Sequence, residues 1–408
     1  MKTGQSPLIV VGAGQAGGAL VAKLRAIGYR GDLVLVGEEA VPPYQRPPLS
    51  KAYLLGDMDQ ERLFLRPAKF YDELDVELRL GRRVDHIDPI SQSIKVGDET
   101  FEYHQLALTT GSVANRLPQQ IGGHLDGVYT VRSLADVDAM ADEFRPDQNL
   151  LIVGGGYIGL EAAAVASKLG LKVTLVEMSE RILQRVASKE TSDYFRQLHE
   201  SHGVKIVEGV GLERLTGEGR LAGAVLTDGQ TLPADFVIAG IGISPATALA
   251  QAAGLRIENG IWTDETGRTS DPSIWAAGDC ASFPWKGEQR RLESVGHAID
   301  HAECVAQNMV GGSLSYAPKP WFWSDQYDVK LQIAGLNVGY DRVVTRRGEN
   351  GAVSFWYYAE DRLLAVDSVN DPRAYMAGKR IIDAGKSVPA DCATDTAIQL
   401  KDLMAMAQ

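Results

Sequence analysis

Two glycine-rich segments constrain the fold of this chain more than any other feature. Residues 8–38 read LIVVGAGQAGGALVAKLRAIGYRGDLVLVGE, and residues 150–177 read LLIVGGGYIGLEAAAVASKLGLKVTLVE. Each contains an apolar strand, a glycine-rich turn, an alanine-rich helix ended by glycine, and a second strand that closes on an acidic residue. This order is typical of a βαβ unit of about 30 residues. Because the strands are almost continuously apolar, they predict parallel sheets covered on both faces.

The spacing of the two units predicts an interrupted first domain. They begin about 142 residues apart, which is too short for a complete first domain. The segment 232–242 predicts the strand that returns the chain, and 271–280 predicts a further strand of the first domain. After about Pro318 the pattern alternates like antiparallel strands, and 371–384 predicts a helix. We predict a first domain over 1–110 and 239–316, a second over 111–238, and a small α+β domain over 317–408.

The glycine turns match the fingerprint of dinucleotide-binding folds. The first glycine permits a tight turn, the second lets backbone N–H groups reach a pyrophosphate, and the third allows close packing of helix on strand. An acid that binds a ribose follows at the right distance in both units, as Glu38 and Glu177. The alternative is that these glycines serve packing alone. The predicted binding glycines are Gly12, Gly14 and Gly17 in the first turn and Gly154, Gly156 and Gly159 in the second.

Glu177 also bears on the choice of nicotinamide cofactor. A carboxylate at this position repels the 2′-phosphate of NADPH, so the sequence favours NADH. Arg181 lies close enough in sequence to weaken that preference.

Composition excludes several classes of protein. The net charge of −12 argues against nucleic acid as the main partner, because phosphate binding draws on clustered Lys and Arg. No apolar run approaches the roughly 20 residues that a membrane helix needs, so we expect no membrane partner and a cytoplasmic location. The three cysteines, Cys280, Cys304 and Cys392, form no CxxC pair and indicate neither a disulfide framework nor a metal site.

Further motifs are distributed along the chain. They are RPPLSKAYL at 46–54, TTG at 109–111, GGGYIGLEAAA at 154–164, AGIG at 239–242, AAGDCA at 276–281, LESV at 292–295 and WFWSDQY at 321–327. With these motifs, the sequence resembles the NADH-dependent ferredoxin reductases of bacterial oxygenase systems over essentially the whole chain. The resemblance implies a glutathione-reductase-like α/β fold with two Rossmann-type domains, in which the discontinuous first domain binds FAD and the second binds NADH.

The resemblance also implies which residues bind the two cofactors. An acidic residue at a strand end is expected to accept hydrogen bonds from a ribose or from the ribityl chain of FAD. The FAD residues implied are Ala16, Glu38, Arg46, Lys51, Val84, Arg132, Asp279 and Val295. On the NADH side, the implied residues beside the glycines are Tyr157, Ile158, Glu177 and Gly242.

Three residues are the catalytic candidates that the resemblance implies. Lys51 is expected near flavin N5 and paired with Glu161, where a fixed ammonium stabilises a reduced, anionic flavin. Trp323 is expected to cover the flavin. Simpler interpretations stay open: Lys51 as a solvated lysine, Glu161 as a first-turn acid that complements the helix dipole, and Trp323 as part of an aromatic core.

The predicted reaction passes electrons from NADH through FAD to a one-electron acceptor. Residues 1–279 contain no cysteine, so thiol chemistry is not expected. The resemblance implies a [2Fe-2S] ferredoxin that serves a cytochrome P450 or a ring-hydroxylating (Rieske) oxygenase. The alternatives are a reductase of rubredoxin, monodehydroascorbate or a quinone, or a non-enzymatic flavoprotein that responds to NADH. Candidate cations for docking an acidic ferredoxin are Arg66, Lys69, Arg290, Arg291 and Lys330.

Overall fold

A computed structural model describes residues 6–408 and divides the chain into two compact units. The first comprises the chain up to Arg46 together with Asp59–Val113 and Ile243–Pro318. The second comprises Pro47–Met58, Ala114–Gly242 and Lys319–Gln408. The α/β class and the interrupted first domain are therefore confirmed, whereas the domain bounds drawn from the sequence stay a prediction.

The first unit is built on a five-stranded parallel sheet. Its strands, in order across the sheet, are Ile274–Ala276, Gln105–Leu108, Leu8–Val11, Leu33–Val36 and Val76–Arg79. Leu8 pairs with both Leu33 and Gln105, so the strand before the glycine turn lies at the centre. The predicted strand within 271–280 joins this sheet beside Gln105–Leu108, as the sequence indicates.

Smaller elements complete the first unit. Buried apolar residues line both faces of the parallel sheet, which explains its continuous apolar strands. Two three-stranded sheets contain His86–Asp88, Ser93–Val96 and Glu99–Glu102, and Ile261–Trp262, Ala281–Trp285 and Glu288–Arg290. The remaining strands are Ser112–Ala114, at whose end the chain leaves the unit, and Ile243–Pro245. The helices are Gln15–Ala26, Gln60–Leu63, Ala68–Glu73, Ala248–Ala252 and Val295–Met309.

The second unit repeats the parallel arrangement. Its five-stranded sheet has the order Lys205–Glu208, Lys172–Glu177, Asn149–Val153, Phe236–Ala239 and Val128–Tyr129. Phe236–Ala239 lies within the return segment that the sequence indicates. An antiparallel sheet of Leu212–Glu218, Arg220–Leu226 and Thr231–Pro233 follows. The helices are Leu134–Met140, Tyr157–Lys168 and Lys189–Ser201, with 3-10 helices at Pro47–Ser50, Gln119–Ile121 and Ala141–Glu143.

The C-terminal part of the second unit is an antiparallel sheet covered by helices. Its strand order is Trp321–Gln326, Val329–Gly335, Arg362–Val369, Val353–Ala359 and Arg342–Arg347. The predicted helix begins where Asp371 accepts a hydrogen bond from Ala374 N and Pro372 fills the first helical position. It spans Pro372–Asp383, and two short helices that the sequence did not predict follow, Ala390–Thr394 and Leu400–Met406. The α+β character predicted for this region is confirmed.

Candidate functional site

The first glycine turn has the geometry of a pyrophosphate cradle. A Cβ on Gly12 would lie 2.3 Å from the carbonyl oxygen of Thr109, and one on Gly17 would lie 2.0 Å from that of Gly12. A side chain is therefore excluded at both positions by backbone. A Cβ on Gly14 would meet nothing within 4 Å. The middle glycine thus borders open space at the start of helix Gln15–Ala26, where N–H groups favour an anion.

The second glycine turn has the same geometry. A Cβ on Gly154 would lie 2.4 Å from the carbonyl oxygen of Gly240, and one on Gly159 would lie 2.2 Å from that of Gly154. Gly156 again borders open space, at the start of helix Tyr157–Lys168. In both turns, packing explains why the outer glycines lack a side chain, but it does not explain the middle glycine. The two turns therefore fit the binding of two dinucleotides better than a role in packing alone.

Glu177 ends its strand with both carboxylate oxygens in use. Oε2 accepts from Gly155 N at 2.7 Å and Oε1 from Ser179 N at 2.8 Å, so a negative charge is fixed beside the second glycine turn. Arg181 does not neutralise it. The Arg181 guanidinium donates to the carbonyl oxygens of Ala187 and Ser188 and to Ser192 Oγ.

The remaining predicted FAD residues of the first unit have different surroundings. The Glu38 side chain is 70% exposed and lies 3.5 Å from Arg83, while Val84 is buried in the core. Arg46 is fixed by residues that the sequence did not single out. It donates to Glu39 Oε1 at 2.6 Å, and Glu39 also accepts from Tyr44 Oη at 2.6 Å.

Asp279 follows the strand Ile274–Ala276 through Gly278, whose positive φ of 78° brings it against helix Gln15–Ala26. A Cβ on Gly278 would lie 2.9 Å from the Cβ of Ala16. Ser112 Oγ donates to Asp279 Oδ2 at 3.5 Å. Val295 begins the helix Val295–Met309. Within the first unit, Ser112 therefore contacts Asp279, and the neighbouring Gly278 packs against Ala16.

The other predicted cofactor residues lie in the second unit. Arg132 directly precedes the helix Leu134–Met140 and its cap Ser133. Gly242 has a positive φ of 93°, and a Cβ there would lie 3.4 Å from Arg185. Ile158 is exposed, whereas the hydroxyl of Tyr157 is buried, and burial raises the pKa of Tyr157 well above its usual value. An exposed isoleucine at a glycine turn provides an apolar surface for a ligand.

Lys51 and Glu161 form a largely buried ion pair in the second unit. Lys51 Nζ lies 2.7 Å from Glu161 Oε2, and the two side chains are 18% and 5% exposed. Ser50 Oγ donates to the same oxygen at 2.7 Å, and Ser324 Oγ donates to Oε1 at 2.6 Å. The solvated-lysine interpretation is therefore wrong. The interpretation of Glu161 as a first-turn acid is also wrong, because its helix begins at Tyr157 and Glu161 is the fifth residue.

Trp323 lies on the other side of its strand from this pair. Side chains alternate along a strand, and Ser324 contacts Glu161 while Phe322 packs on Tyr157 at 5.0 Å. Trp323 instead stacks on Trp321 at 5.3 Å. The role of Trp323 at the flavin stays a prediction. Ser50 and Ser324 were missed, although the period of two in WFWSDQ places Phe322 and Ser324 on one face.

Neither thiol nor metal chemistry has support in residues 6–408. Cys280 is fully buried, and burial raises the pKa of its thiol. All three cysteines are free thiols. In the same residues, no three His, Cys, Asp or Glu side chains are grouped to hold a metal. Among the helices described, none has both the length and the apolar character that a membrane span requires.

The predicted docking cations are mostly engaged locally. Lys69 pairs with Glu73, Arg290 with Glu288, Arg291 with Glu293, and Lys330 lies 3.9 Å from Asp325. Arg291 is only 13% exposed and donates to the carbonyl oxygen of Asp279 at 3.3 Å. Arg66 is exposed and lies over the ring of Phe70. Arg291 thus supports the Asp279 backbone and is poorly placed to bind another protein.

Comparisons with known proteins extend over the whole chain. Rhodocoxin reductase of Rhodococcus erythropolis is 41% identical over 97% of this chain and 93% of its own length. Rubredoxin-NAD(+) reductase of Pseudomonas putida is 35% identical over 90% of this chain and 96% of its own. The crystal structure of the covalent putidaredoxin reductase–putidaredoxin complex matches with a TM-score of 0.95 at 37% identity, covering 99% of both chains.

Two family models together match nearly all of the sequence. The model described as reductase C-terminal matches residues 321–404. The model described as pyridine nucleotide-disulphide oxidoreductase matches residues 6–302, which includes both glycine turns. The chain is therefore an oxidoreductase that belongs to the pyridine nucleotide-disulphide oxidoreductase family.

Proposed function

We propose that this protein is an FAD-dependent reductase that passes electrons from NADH to a [2Fe-2S] ferredoxin, which in turn supplies a cytochrome P450 or a ring-hydroxylating oxygenase. The observation that carries the proposal is the pair of glycine turns, each with an open middle glycine, at Gly14 and Gly156. Two dinucleotide sites in one chain suit transfer between a nicotinamide and a flavin. The redox partners in the relatives' names, rhodocoxin and putidaredoxin, support a small electron-transfer protein as the acceptor.

The residues divide between the two cofactors as the sequence indicates. We assign FAD to the turn of Gly12, Gly14 and Gly17 with Asp279 and Arg46, and NADH to the turn of Gly154, Gly156 and Gly159 with Glu177. A bound flavin takes up a hydride from the nicotinamide and gives up electrons one at a time. The contribution of the protein is to position both rings and to fix charge where it develops.

We assign Lys51 the role of stabilising the negative charge that develops on the reduced flavin ring. An ammonium stabilises such a charge best when it cannot move. The contact of 2.7 Å to Glu161 fixes it, and partial burial strengthens its field because water screens it less. Trp323 is assigned to cover the flavin.

The preference for NADH follows from fixed charge. The Glu177 carboxylate is held by two backbone N–H groups, and the hydrogen bonds of Arg181 run to other groups. A 2′-phosphate would therefore meet a negative charge that Arg181 does not neutralise.

A second acceptor is supported by one comparison. The rubredoxin reductase shares 35% identity, so rubredoxin is the main rival to ferredoxin. Cytoplasmic location is proposed with either acceptor.

The test of the cofactor assignment is direct. The purified protein should release FAD, and not FMN, on denaturation, and NADH should bleach the bound flavin in a stopped-flow instrument. Protein that binds no FAD after reconstitution, or bound FAD that NADH does not reduce, would contradict the proposal whatever the acceptor.

A further inference from the structure

A series of hydrogen bonds extends from Glu161 through the interior of the second unit. Ser324 Oγ lies 2.6 Å from Glu161 Oε1, and Gln326 Nε2 lies 3.1 Å from Ser324 Oγ. Gln326 Oε1 lies 2.7 Å from His199 Nε2, and His199 Nδ1 lies 3.2 Å from Tyr327 Oη. Ser324, Gln326 and His199 are all at most 1% exposed.

The Glu161 carboxylate and the Gln326 amide determine the direction of the first three hydrogen bonds. A carboxylate only accepts, so Ser324 must donate its hydroxyl hydrogen to Glu161. The Ser324 oxygen then accepts from the amide N–H of Gln326. Because the Gln326 carbonyl only accepts, His199 Nε2 carries the hydrogen.

The last bond of the series follows from the state of His199. Burial lowers the pKa of His199 to about 4, so the ring is neutral and its other nitrogen accepts. Tyr327 Oη is therefore the donor to His199 Nδ1. Burial raises the pKa of Tyr327 to about 12, so its hydroxyl keeps this hydrogen near neutral pH.

The amide of Gln326 indicates that this series of hydrogen bonds orients side chains and does not conduct protons. An amide offers N–H on one atom and a carbonyl on the other, so it orients its neighbours and is a poor carrier of protons. Aligned donors polarise one another, which strengthens the final bond to the carboxylate.

We infer that Ser324, Gln326 and His199 are positioning residues, which form with Tyr327 a one-way series of donors that fixes the Glu161 carboxylate and, through it, Lys51. The inference rests on the proposed function. The series joins helix Tyr157–Lys168 to helix Lys189–Ser201 through the strand Trp321–Gln326. It explains why Ser324 and Gln326 share the face of their strand opposite Trp323.

The kinetic test is a double-mutant cycle on flavin reduction by NADH. Ser324→Ala should lower the limiting rate about tenfold with the apparent NADH affinity unchanged, and Ser324→Thr, which keeps the hydroxyl, should restore most of it. Ser354→Ala is the matched control, because Ser354 is equally buried in the same sheet, but its hydroxyl bonds only Trp356 among the side-chain hydrogen bonds described. In a Glu161→Gln background, Ser324→Ala should add less than twofold.

The inference would be overturned if Ser324→Ala lowered the rate equally in the parent and in the Glu161→Gln background, or if the Ser324→Ala rate were within twofold of the parent. If Ser324→Ala fails to hold FAD, Gln326→Leu enters the same cycle with the same criteria. These outcomes count only if NADH reduces the parent flavin, so failure of the proposed function is seen separately.

The second readout does not depend on activity. Nitrogen-15 NMR of the histidine rings at pH 7 should find His199 neutral with its hydrogen on Nε2. The parent protein serves directly, with the assignment made by loss of the signal in His199→Gln. A hydrogen on Nδ1, or a charged ring, would reverse or break the series and overturn the inference.

Discussion

Lys51 Nζ lies 2.7 Å from Glu161 Oε2, and Glu161 is the more deeply buried partner of the pair. Removing one member of a buried pair leaves the other charge unpaired, which costs more than removing both. Measuring both stability and rate in single and double variants therefore separates the structural role of the pair from its catalytic role.

Lys51→Met should slow flavin reduction by NADH by about 100-fold, which corresponds to roughly 2.7 kcal/mol of barrier. It should also destabilise the protein by roughly 3 kcal/mol, because Glu161 keeps only hydroxyl donors. Adding Glu161→Gln should recover most of the stability in chemical denaturation but little of the rate. A double variant with the parent's rate would show that Lys51 acts only as a counter-charge.

Discrimination between the nicotinamides should depend on the Glu177 charge. In stopped-flow reduction, NADH should be faster than NADPH by at least about tenfold, the effect of roughly 1.4 kcal/mol. Glu177→Gln keeps an acceptor for the Gly155 or Ser179 N–H and removes the charge, so the ratio should fall towards one. Glu213→Gln, at an exposed glutamate of the same unit, is the control. Equal parental rates with both cofactors would contradict this assignment.

Thiol groups should be dispensable. Replacing Cys280, Cys304 and Cys392 by alanine should leave NADH-to-ferricyanide turnover within about threefold of the parent, less than 1 kcal/mol of barrier. Iodoacetamide at pH 7 should not inactivate the parent, because Cys280 is buried and its thiol pKa is raised. A tenfold loss in a folded triple variant would bring thiol chemistry back.

Buried histidines should make the protein sensitive to acid. Burial lowers the pKa of His199 and His297 to about 4 and that of His301 further. An unfolded chain binds these protons from about pH 6.5 downward while the folded chain does not, so stability is present at neutral pH and falls towards pH 4. Each histidine contributes a slope of up to about 1.4 kcal/mol per pH unit.

His297→Gln should therefore flatten the dependence of unfolding free energy on pH between 6.5 and 5. His86→Gln, at an exposed histidine, should leave it unchanged. An unaltered slope in His297→Gln would mean that the folded protein admits a charged ring at this position.

The sequence predicts most reliably what local pattern and close packing dictate. Both glycine turns follow this rule, because the backbone that excludes a side chain at Gly12 and Gly154 belongs to the residue directly after the neighbouring strand of the same sheet. The Lys51–Glu161 pair was implied by resemblance alone, since 110 residues separate its members.

The serine partners of Glu161 could not be predicted from the sequence, because they are distant from it along the chain. Ser324 reaches it across a separation of 163 residues, and nothing local in WFWSDQY indicates which helix that strand covers. The small exposure of Arg291, one of the predicted docking cations, could not be predicted either, because it depends on tertiary packing. Short elements such as Ala390–Thr394 contain too few residues to show a helical period.

The most direct test of the central claim compares acceptors under one set of conditions. Purified protein, NADH and a [2Fe-2S] ferredoxin from the same source are mixed anaerobically, and reduction of the iron–sulfur centre is followed by its absorbance; rubredoxin replaces ferredoxin in a parallel run. We predict two equivalents of ferredoxin reduced per NADH, at least about tenfold faster than rubredoxin at equal concentration, a difference of roughly 1.4 kcal/mol in barrier. Rubredoxin reduced faster, or a flavin that NADH reduces but no ferredoxin reoxidises, would contradict the account.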